Sequence, residues 1–150
     1  MCSILPTKIK LKTLENNDIF LEELLVKEKV NLLLFYNTDC LGCTGRAIPF
    51  AYKISESNKE KLNLIVIHVD FAFKKHDKDE ILDIFYSKKS PFSIYKDENA
   101  SLYKVLGCEG TPHWIVLSKE GEVKKSIFGS QQNAQNRLHY YLDEVFPLLK

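Results

Sequence analysis

Two continuous apolar stretches constrain the fold of this chain more than any other feature. One runs from Val30 to Tyr36 and the other from Leu62 to Phe71, and both are apolar almost throughout. Such runs are typical of strands in a sheet that is covered by helices on both faces. Between them lie apolar residues at helical spacing, so strand, helix and strand follow one another. This order predicts parallel strand pairs in a central sheet.

Shorter patterns complete the predicted order of elements. We expect, in order, an N-terminal hairpin from residues 9–11 and 19–20, a short helix over 21–25, a helix that Asp77 caps and that stops near Ser90-Pro91, a short strand over 92–95, a short helix over 102–106, a hairpin over 114–117 and 123–128, and a closing helix that Pro147 ends. We therefore predict a single α/β domain over residues 1–150. Its central mixed sheet is flanked by helices and carries an N-terminal β-hairpin extension.

Composition narrows the classes of function. The 150 residues are 45% hydrophobic, enough for a core that needs neither metal nor disulfides, and 21 basic side chains balance 20 acidic ones. This balance gives no electrostatic case for nucleic acid or an anionic membrane. No apolar run approaches the roughly 18 residues of a membrane span, and we see no signal peptide. We expect a cytoplasmic protein, or a periplasmic or lipid-anchored one if Cys2 is the remnant of a lipoprotein anchor.

The motif Cys40-Leu41-Gly42-Cys43 follows the first apolar strand and precedes a helical stretch. At a helix N-terminus, unpaired backbone N–H groups and the positive end of the macrodipole stabilise a thiolate, which attacks disulfides. The two intervening residues leave the second sulfur one turn away, where it can close an intramolecular disulfide and expel a bound partner. The motif therefore predicts a redox dithiol.

In this context the chain resembles the thioredoxin superfamily, and within it the TlpA/ResA-like thiol-disulfide oxidoreductases. Three segments carry the resemblance: residues 10–24 are similar to the opening hairpin and helix, residues 32–43 to the active-site strand and motif, and residues 106–121, with Gly110-Thr111-Pro112, to the Gly-Thr-Pro strand and hairpin. The resemblance implies a thioredoxin-like fold. It also implies that Pro112 is a cis-proline beside the dithiol and that the Thr111 backbone pairs with an extended substrate segment.

The chain departs from the family near the motif. Asp39 replaces an aromatic residue before Cys40, and its carboxylate disfavours the thiolate, whereas Arg46 favours it. We expect both residues to modulate reactivity. Leu34 stands where thioredoxin has a buried acid, and Arg46 stands where ResA-like proteins have a glutamate. The proton acceptor for Cys43 is therefore open.

Other interpretations of the cysteines remain. Cys40 and Cys43 could be half of a structural zinc site completed by Cys108, Cys2 or His113, although no second Cys-x-x-Cys exists. Peroxide reduction is disfavoured, because peroxiredoxins have a threonine three residues before the reactive cysteine and Asn37 stands there. We interpret Cys108 as a small core residue.

The four histidines receive separate predictions. We expect His68 to be buried and hydrogen-bonded, and consider His113 a candidate for the rim of the site. His76 and His139 are expected to be solvated.

These observations predict a thiol-disulfide oxidoreductase with Cys40 as the attacking thiolate and Cys43 as the resolving thiol, without cofactor or bound metal. Its expected partners are protein disulfides and an electron-donor protein, and we expect a monomer. The alternative is a non-catalytic metal-handling or adaptor module on the same fold.

Overall fold

A seven-stranded mixed sheet forms the centre of the molecule. The computed structural model describes residues 9–71 and 74–149. The strands are β1 (Lys10–Thr13), β2 (Asp18–Phe20), β3 (Val30–Tyr36), β4 (Leu62–Val69), β5 (Ile94–Asp97), β6 (His113–Leu117) and β7 (Val123–Phe128). Their spatial order is β2-β1-β5-β4-β3-β6-β7. Strands β3, β4 and β5 are parallel, and the other pairs are antiparallel. The predicted mixed sheet and N-terminal hairpin are confirmed.

Helices cover both faces of this sheet. They are α1 (Leu21–Leu24), α2 (Ile48–Ser57), α3 (Lys78–Leu82), α4 (Ser101–Val105) and α5 (Gln132–Val145). Apolar residues of α2, α3 and α5 form one core with one face of the sheet. Residues of α1 and α4 contribute to a second core on the opposite face.

The central strand β3 shows why this sequence forms such a sheet. All seven of its residues are buried, because the strand has neighbours at both edges and helices on both faces. Side chains alternate along a strand, so Leu34 and Tyr36 enter the core of α2 and α5, whereas Leu33 and Phe35 enter the other core. The end of β3 therefore lies between the two cores, and the Cys40–Cys43 motif follows it directly.

The helix that begins after Asp77 is shorter than predicted. The capping box is present: the Asp77 side chain accepts from the Glu80 amide, and the Glu80 side chain accepts from the Asp77 amide. The helix nevertheless ends at Leu82 rather than near Ser90-Pro91, and Tyr86, which was expected in it, is 94% exposed. Positive φ angles at Ser87 and Lys88 turn the chain away. No helix among the described residues is long and apolar enough to cross a membrane.

Candidate active site

Asn37 organises the loop that joins β3 to the motif. Its side-chain amide donates to the Val69 carbonyl at 2.9 Å, and its side-chain oxygen accepts from the Asp39 amide at 2.8 Å. Its backbone carbonyl accepts from the Cys40 amide at 3.1 Å. These contacts tie the loop to the end of β4, so the motif has a fixed position at the carboxyl edge of the parallel strands.

The two motif cysteines are both free thiols, in different environments. Cys40 is partly exposed, whereas Cys43 is fully buried. The Cys43 amide donates to the Cys40 sulfur at 3.2 Å, and Cys43 begins a π-helical turn that runs to Ala47 and leads into α2. A backbone N–H group directed at a sulfur stabilises negative charge on it. Of the two motif sulfurs, that of Cys40 is therefore the more accessible.

Burial makes Cys43 a poor acid. Its burial, with the neighbouring Cys40 thiol as a smaller cause, raises the pKa of Cys43 to about 12. Burial also raises the pKa of Tyr36, and negative charge on Cys43 contributes to that shift. The Tyr36 hydroxyl is buried and has no hydrogen-bond partner among the described residues. It is a polar group near Cys43 that we did not identify from the sequence.

The Thr111–Pro112 segment lies beside the motif although it is distant in sequence. Strand β6 pairs antiparallel with β3, with Phe35 opposite His113, which brings the start of β6 to the end of β3. The Thr111–Pro112 peptide bond is cis. The Cys40 thiol donates to the Thr111 carbonyl at 3.4 Å. The structure thus brings together four of the residues selected from the sequence.

Asp39 takes part in a network that the sequence did not predict. Its carboxylate pairs with Lys74 at 3.0 Å and with His76 Nε2 at 3.1 Å. The hydrogen bond from Lys74, with a further contribution from His76, holds the pKa of Asp39 below its usual range. The negative charge beside Cys40 is therefore compensated by neighbours.

The prediction that His76 is solvated is wrong. His76 is 3% exposed, and its Nδ1 lies 3.3 Å from Asp70 Oδ1. Asp70 is the residue after β4, and Asp39 lies in the loop after β3. The carboxyl ends of these two parallel strands therefore both contribute to the cluster around His76. A polar pair, His68 and Asp70, at the end of an apolar strand was the signal in the sequence.

The buried cluster of His68, Asp70 and His76 is a candidate metal site, since their ligand atoms lie within 4.8 Å of one another. The contacts of His68 count against this use. Its Nε2 accepts from the Thr38 amide at 3.2 Å, which puts the proton of the neutral ring on Nδ1, the atom that faces Asp70 at 3.2 Å. Burial lowers the pKa of His68. Burial alone would raise the pKa of Asp70, but the contacts of its carboxylate with His68 and His76 outweigh this effect and lower the pKa. Two buried atoms of this cluster, His68 Nδ1 and Asp70 Oδ2, have no hydrogen-bond partner among the described residues.

Two other residues considered from the sequence lie elsewhere. His113 is 1% exposed, and its Nε2 lies 2.7 Å from the Ser126 hydroxyl, so it is not at the rim of the site. Burial lowers the pKa of His113. Cys108 is partly buried, and burial raises the pKa of its thiol to about 12. His68 is buried and His139 exposed, as predicted. Cys2 lies outside the described residues.

Two pockets open on opposite sides of Cys40. The first, of about 320 Å³, is lined by Asn37, Asp39, Cys40, Phe71, Lys74, His76 and Thr111. The second, of about 380 Å³, is bounded by the motif, the Thr111–Pro112 segment and the start of α5, and it includes Arg46. The predicted modulating residues Asp39 and Arg46 therefore belong to different sides of the site.

Comparisons with known proteins agree with this geometry. Residues 5–126 match the model of the AhpC/TSA family. The chain is 26% identical over 140 residues to the thioredoxin-like chloroplast protein HCF164 of Oryza sativa subsp. japonica, covering 93% of this chain but 42% of that protein. The chain thus spans less than half the length of this relative.

Solved structures with lower identity share the fold. A protein from Chlorobium tepidum assigned as the thiol:disulfide interchange protein DsbE superposes with a TM-score of 0.74, at 16% identity, over 96% of each chain. The exposed lipoprotein thioredoxin Etrx1 of Streptococcus pneumoniae superposes with a TM-score of 0.71, at 16% identity, over 92% of this chain and 99% of that one.

The sheet order and these neighbours define a thioredoxin-like fold, with two free thiols in the motif that follows β3. The predicted resemblance to the thioredoxin superfamily is confirmed. The chain belongs to the AhpC/TSA family.

Proposed function

We propose that this protein exchanges electrons between the Cys40/Cys43 dithiol and disulfides of other proteins. The observation that carries the proposal is the asymmetry of the two sulfurs. Cys40 is partly exposed, and its sulfur accepts a hydrogen bond from the Cys43 amide, whereas Cys43 is buried and its pKa is raised. A nucleophile must reach its substrate, and a resolving thiol acts only after the substrate is bound.

In the proposed reaction the Cys40 thiolate attacks one sulfur of a substrate disulfide. A Cys40–substrate disulfide forms, and the other substrate sulfur leaves as a thiolate that takes up a proton. Cys43 then loses its proton and attacks the Cys40 sulfur, which forms the Cys40–Cys43 disulfide and releases the second substrate thiol. Two electrons pass to the substrate, and a dithiol protein that donates electrons restores the reduced state. No cofactor is required.

Thr111 and Pro112 are proposed to bind the substrate. Thr111 is partly exposed and its carbonyl contacts the Cys40 thiol, so an extended segment that enters beside Cys40 meets its backbone. Proline at the entrance of a strand cannot donate to the sheet, which leaves room beside the thiols for a guest chain. Asp39 and Arg46 are proposed to modulate the reaction from the two sides of Cys40.

Reduction of insulin disulfides tests this function. With dithiothreitol as electron donor, we expect the wild-type protein to accelerate precipitation of the insulin B chain and Cys40→Ser to abolish the acceleration. Cys108→Ala is the matched control, because it removes a cysteine that is not in the motif. Loss of activity in Cys108→Ala but not in Cys40→Ser would refute the assignment.

The alternative of a metal-handling or adaptor module is examined with the same preparations. Metal content of the purified protein near one equivalent, together with no insulin reduction, would favour the alternative. An assay of hydrogen peroxide consumption tests a third activity, peroxide reduction. The side chain of Asn37 is engaged with Val69 and Asp39, so we expect no turnover of hydrogen peroxide.

The monomeric state and the cytoplasmic location inferred from the sequence remain proposals. Light scattering of the purified protein tests the first, and fractionation of cells that express the natural gene tests the second.

A further inference from the structure

A cleft runs from Cys40 along the start of α5. Two adjoining pockets, of about 380 Å³ and 480 Å³, share Arg46, Ser130 and Gln131. We call this combined space the α5 cleft. Its further lining residues are Cys40, Gly42, Thr111, Pro112, Phe128 and Gly129, with Gln132, Asn133, Ala134 and Gln135 of α5. A substrate bound at Cys40 and Thr111 can therefore extend into it.

The α5 cleft is electropositive. Its lining residues include no Asp or Glu among the residues that the structure describes. Arg46 is exposed and forms no ion pair within residues 9–71 and 74–149. The pocket on the other side of Cys40 differs, because there Asp39 already pairs with Lys74 and His76.

The N-terminus of α5 adds to this potential. The helix has 14 residues, its N-cap residue Gln131 makes no side-chain capping bond, and its first turn carries no acidic residue. The first backbone N–H groups of such a helix are left for water or a ligand, and the dipole favours an anion there.

Ser130 contributes a hydroxyl group to the α5 cleft. The residue is 6% exposed, and its hydroxyl, which reaches solvent, makes no hydrogen bond to another described residue. The oxygen lies 2.9 Å from the place where a Cβ on Gly42 would stand, so it is directly against the motif. Ser130 lines both parts of the α5 cleft, so its hydroxyl can donate to a ligand bound there.

We propose that the α5 cleft binds a carboxylate of the substrate, so that the protein prefers disulfides whose cysteine lies close to an acidic residue. This inference rests on the proposed function. Arg46 would pair with the carboxylate, and the Ser130 hydroxyl and the α5 amides would donate to it. Arg46 follows Cys40 by six residues, which is fewer than two helical turns of about 5.4 Å and is partly π-helical, and an extended chain covers about 3.3 Å per residue. The acidic residue therefore belongs two or three positions from the substrate cysteine.

Competition between peptide disulfides tests the inference. Matched peptides carry Glu, Gln or Lys two or three residues from the cysteine, and kcat/KM for reduction is measured with each. We expect wild-type protein to reduce the Glu peptide about tenfold faster than the Gln peptide, since a charge-assisted contact is gained. Arg46→Gln should bring this ratio to within twofold of one, and Ser130→Ala should lower it less.

The ratio is the informative quantity, because any change in the reactivity of Cys40 acts on all peptides alike and cancels. Arg137→Gln is the matched control: Arg137 is also exposed but does not line the cleft, and its replacement should leave the ratio unchanged. A wild-type ratio within twofold of one, or a ratio that survives Arg46→Gln, overturns the inference.

Two further outcomes are distinguishable. If none of the peptides is reduced, the proposed function itself fails. A glutathione mixed disulfide on a peptide without acidic residues tests the other source of a carboxylate. If that substrate alone is preferred, and the preference disappears in Arg46→Gln, then the carboxylate belongs to glutathione and an acidic peptide segment is excluded.

Discussion

The order in which the thiols react with an alkylating reagent follows from the burial of Cys43. With a pKa of about 12, Cys43 is thiolate in roughly one molecule in 10⁵ at pH 7. An exposed cysteine of ordinary pKa is thiolate in about 3% of molecules. A more basic thiolate is a stronger nucleophile, and with a Brønsted slope of about 0.4–0.5 this recovers roughly fortyfold. Cys43 should therefore react about a hundredfold more slowly than an ordinary cysteine, before steric exclusion is counted.

The measurement is a time course of iodoacetamide labelling of the reduced protein, with the modified peptides quantified by mass spectrometry. We expect Cys40 to be labelled first, with Cys43 and Cys108 at least a hundredfold slower, because burial raises the pKa of both. The same protein in concentrated guanidinium is the control, where the rates should converge.

Labelling of Cys43 at a rate equal to or above that of Cys40 in the folded protein would refute this reasoning. The buried sulfur would then be accessible, and the assignment of Cys40 as nucleophile would lose its physical basis.

Three further predictions concern stability. Burial lowers the pKa of His113 below its usual value near 6.5, so the unfolded state binds the proton more readily than the folded state. The free energy of unfolding, measured by urea titration, should therefore fall as the pH drops below about 6.5. This fall should be less steep in His113→Gln. Asp97→Ala should lower the free energy of unfolding by about 1–3 kcal/mol in the same assay, because the Asp97 carboxylate accepts from the amides of Leu102 and Tyr103 at the start of α4. Asp97→Asn should lower it less, and equal losses in the two variants would contradict this. Gly110→Ala should lower the melting temperature, because φ is +156° and the new Cβ would stand 2.8 Å from the Phe128 ring, while Gly45→Ala, with nothing within 4 Å, should not.

The sequence was sufficient for the sheet and the dithiol because both depend on local patterns. The apolar stretch at Val30–Tyr36 has no alternation, and a strand of this kind must be covered on both faces. The position of Cys40 and Cys43 follows directly from the end of that strand. The length of α3 was not predictable in the same way, because the chain leaves the helical conformation before Phe85, whose backbone is extended, although Phe85 and Tyr86 keep the helical spacing.

The network around Asp39 was missed for a different reason. His76 lies in a polar stretch and only tertiary structure places its ring against Asp70 and Asp39. A similar limit applies to Ser130, whose position against Gly42 of the motif is evident only in the folded chain. Contacts between segments far apart in sequence therefore account for the residues that the patterns did not reveal.

The central claim is that Cys40 attacks and Cys43 resolves, and a trapped intermediate tests it most directly. Cys43→Ser is mixed with a peptide disulfide and analysed by intact mass spectrometry. We expect a one-to-one covalent adduct at Cys40 that dithiothreitol releases, and no adduct with Cys40→Ser. An adduct formed by Cys40→Ser through Cys43, or none with Cys43→Ser while the wild-type protein reduces the same peptide, would contradict it.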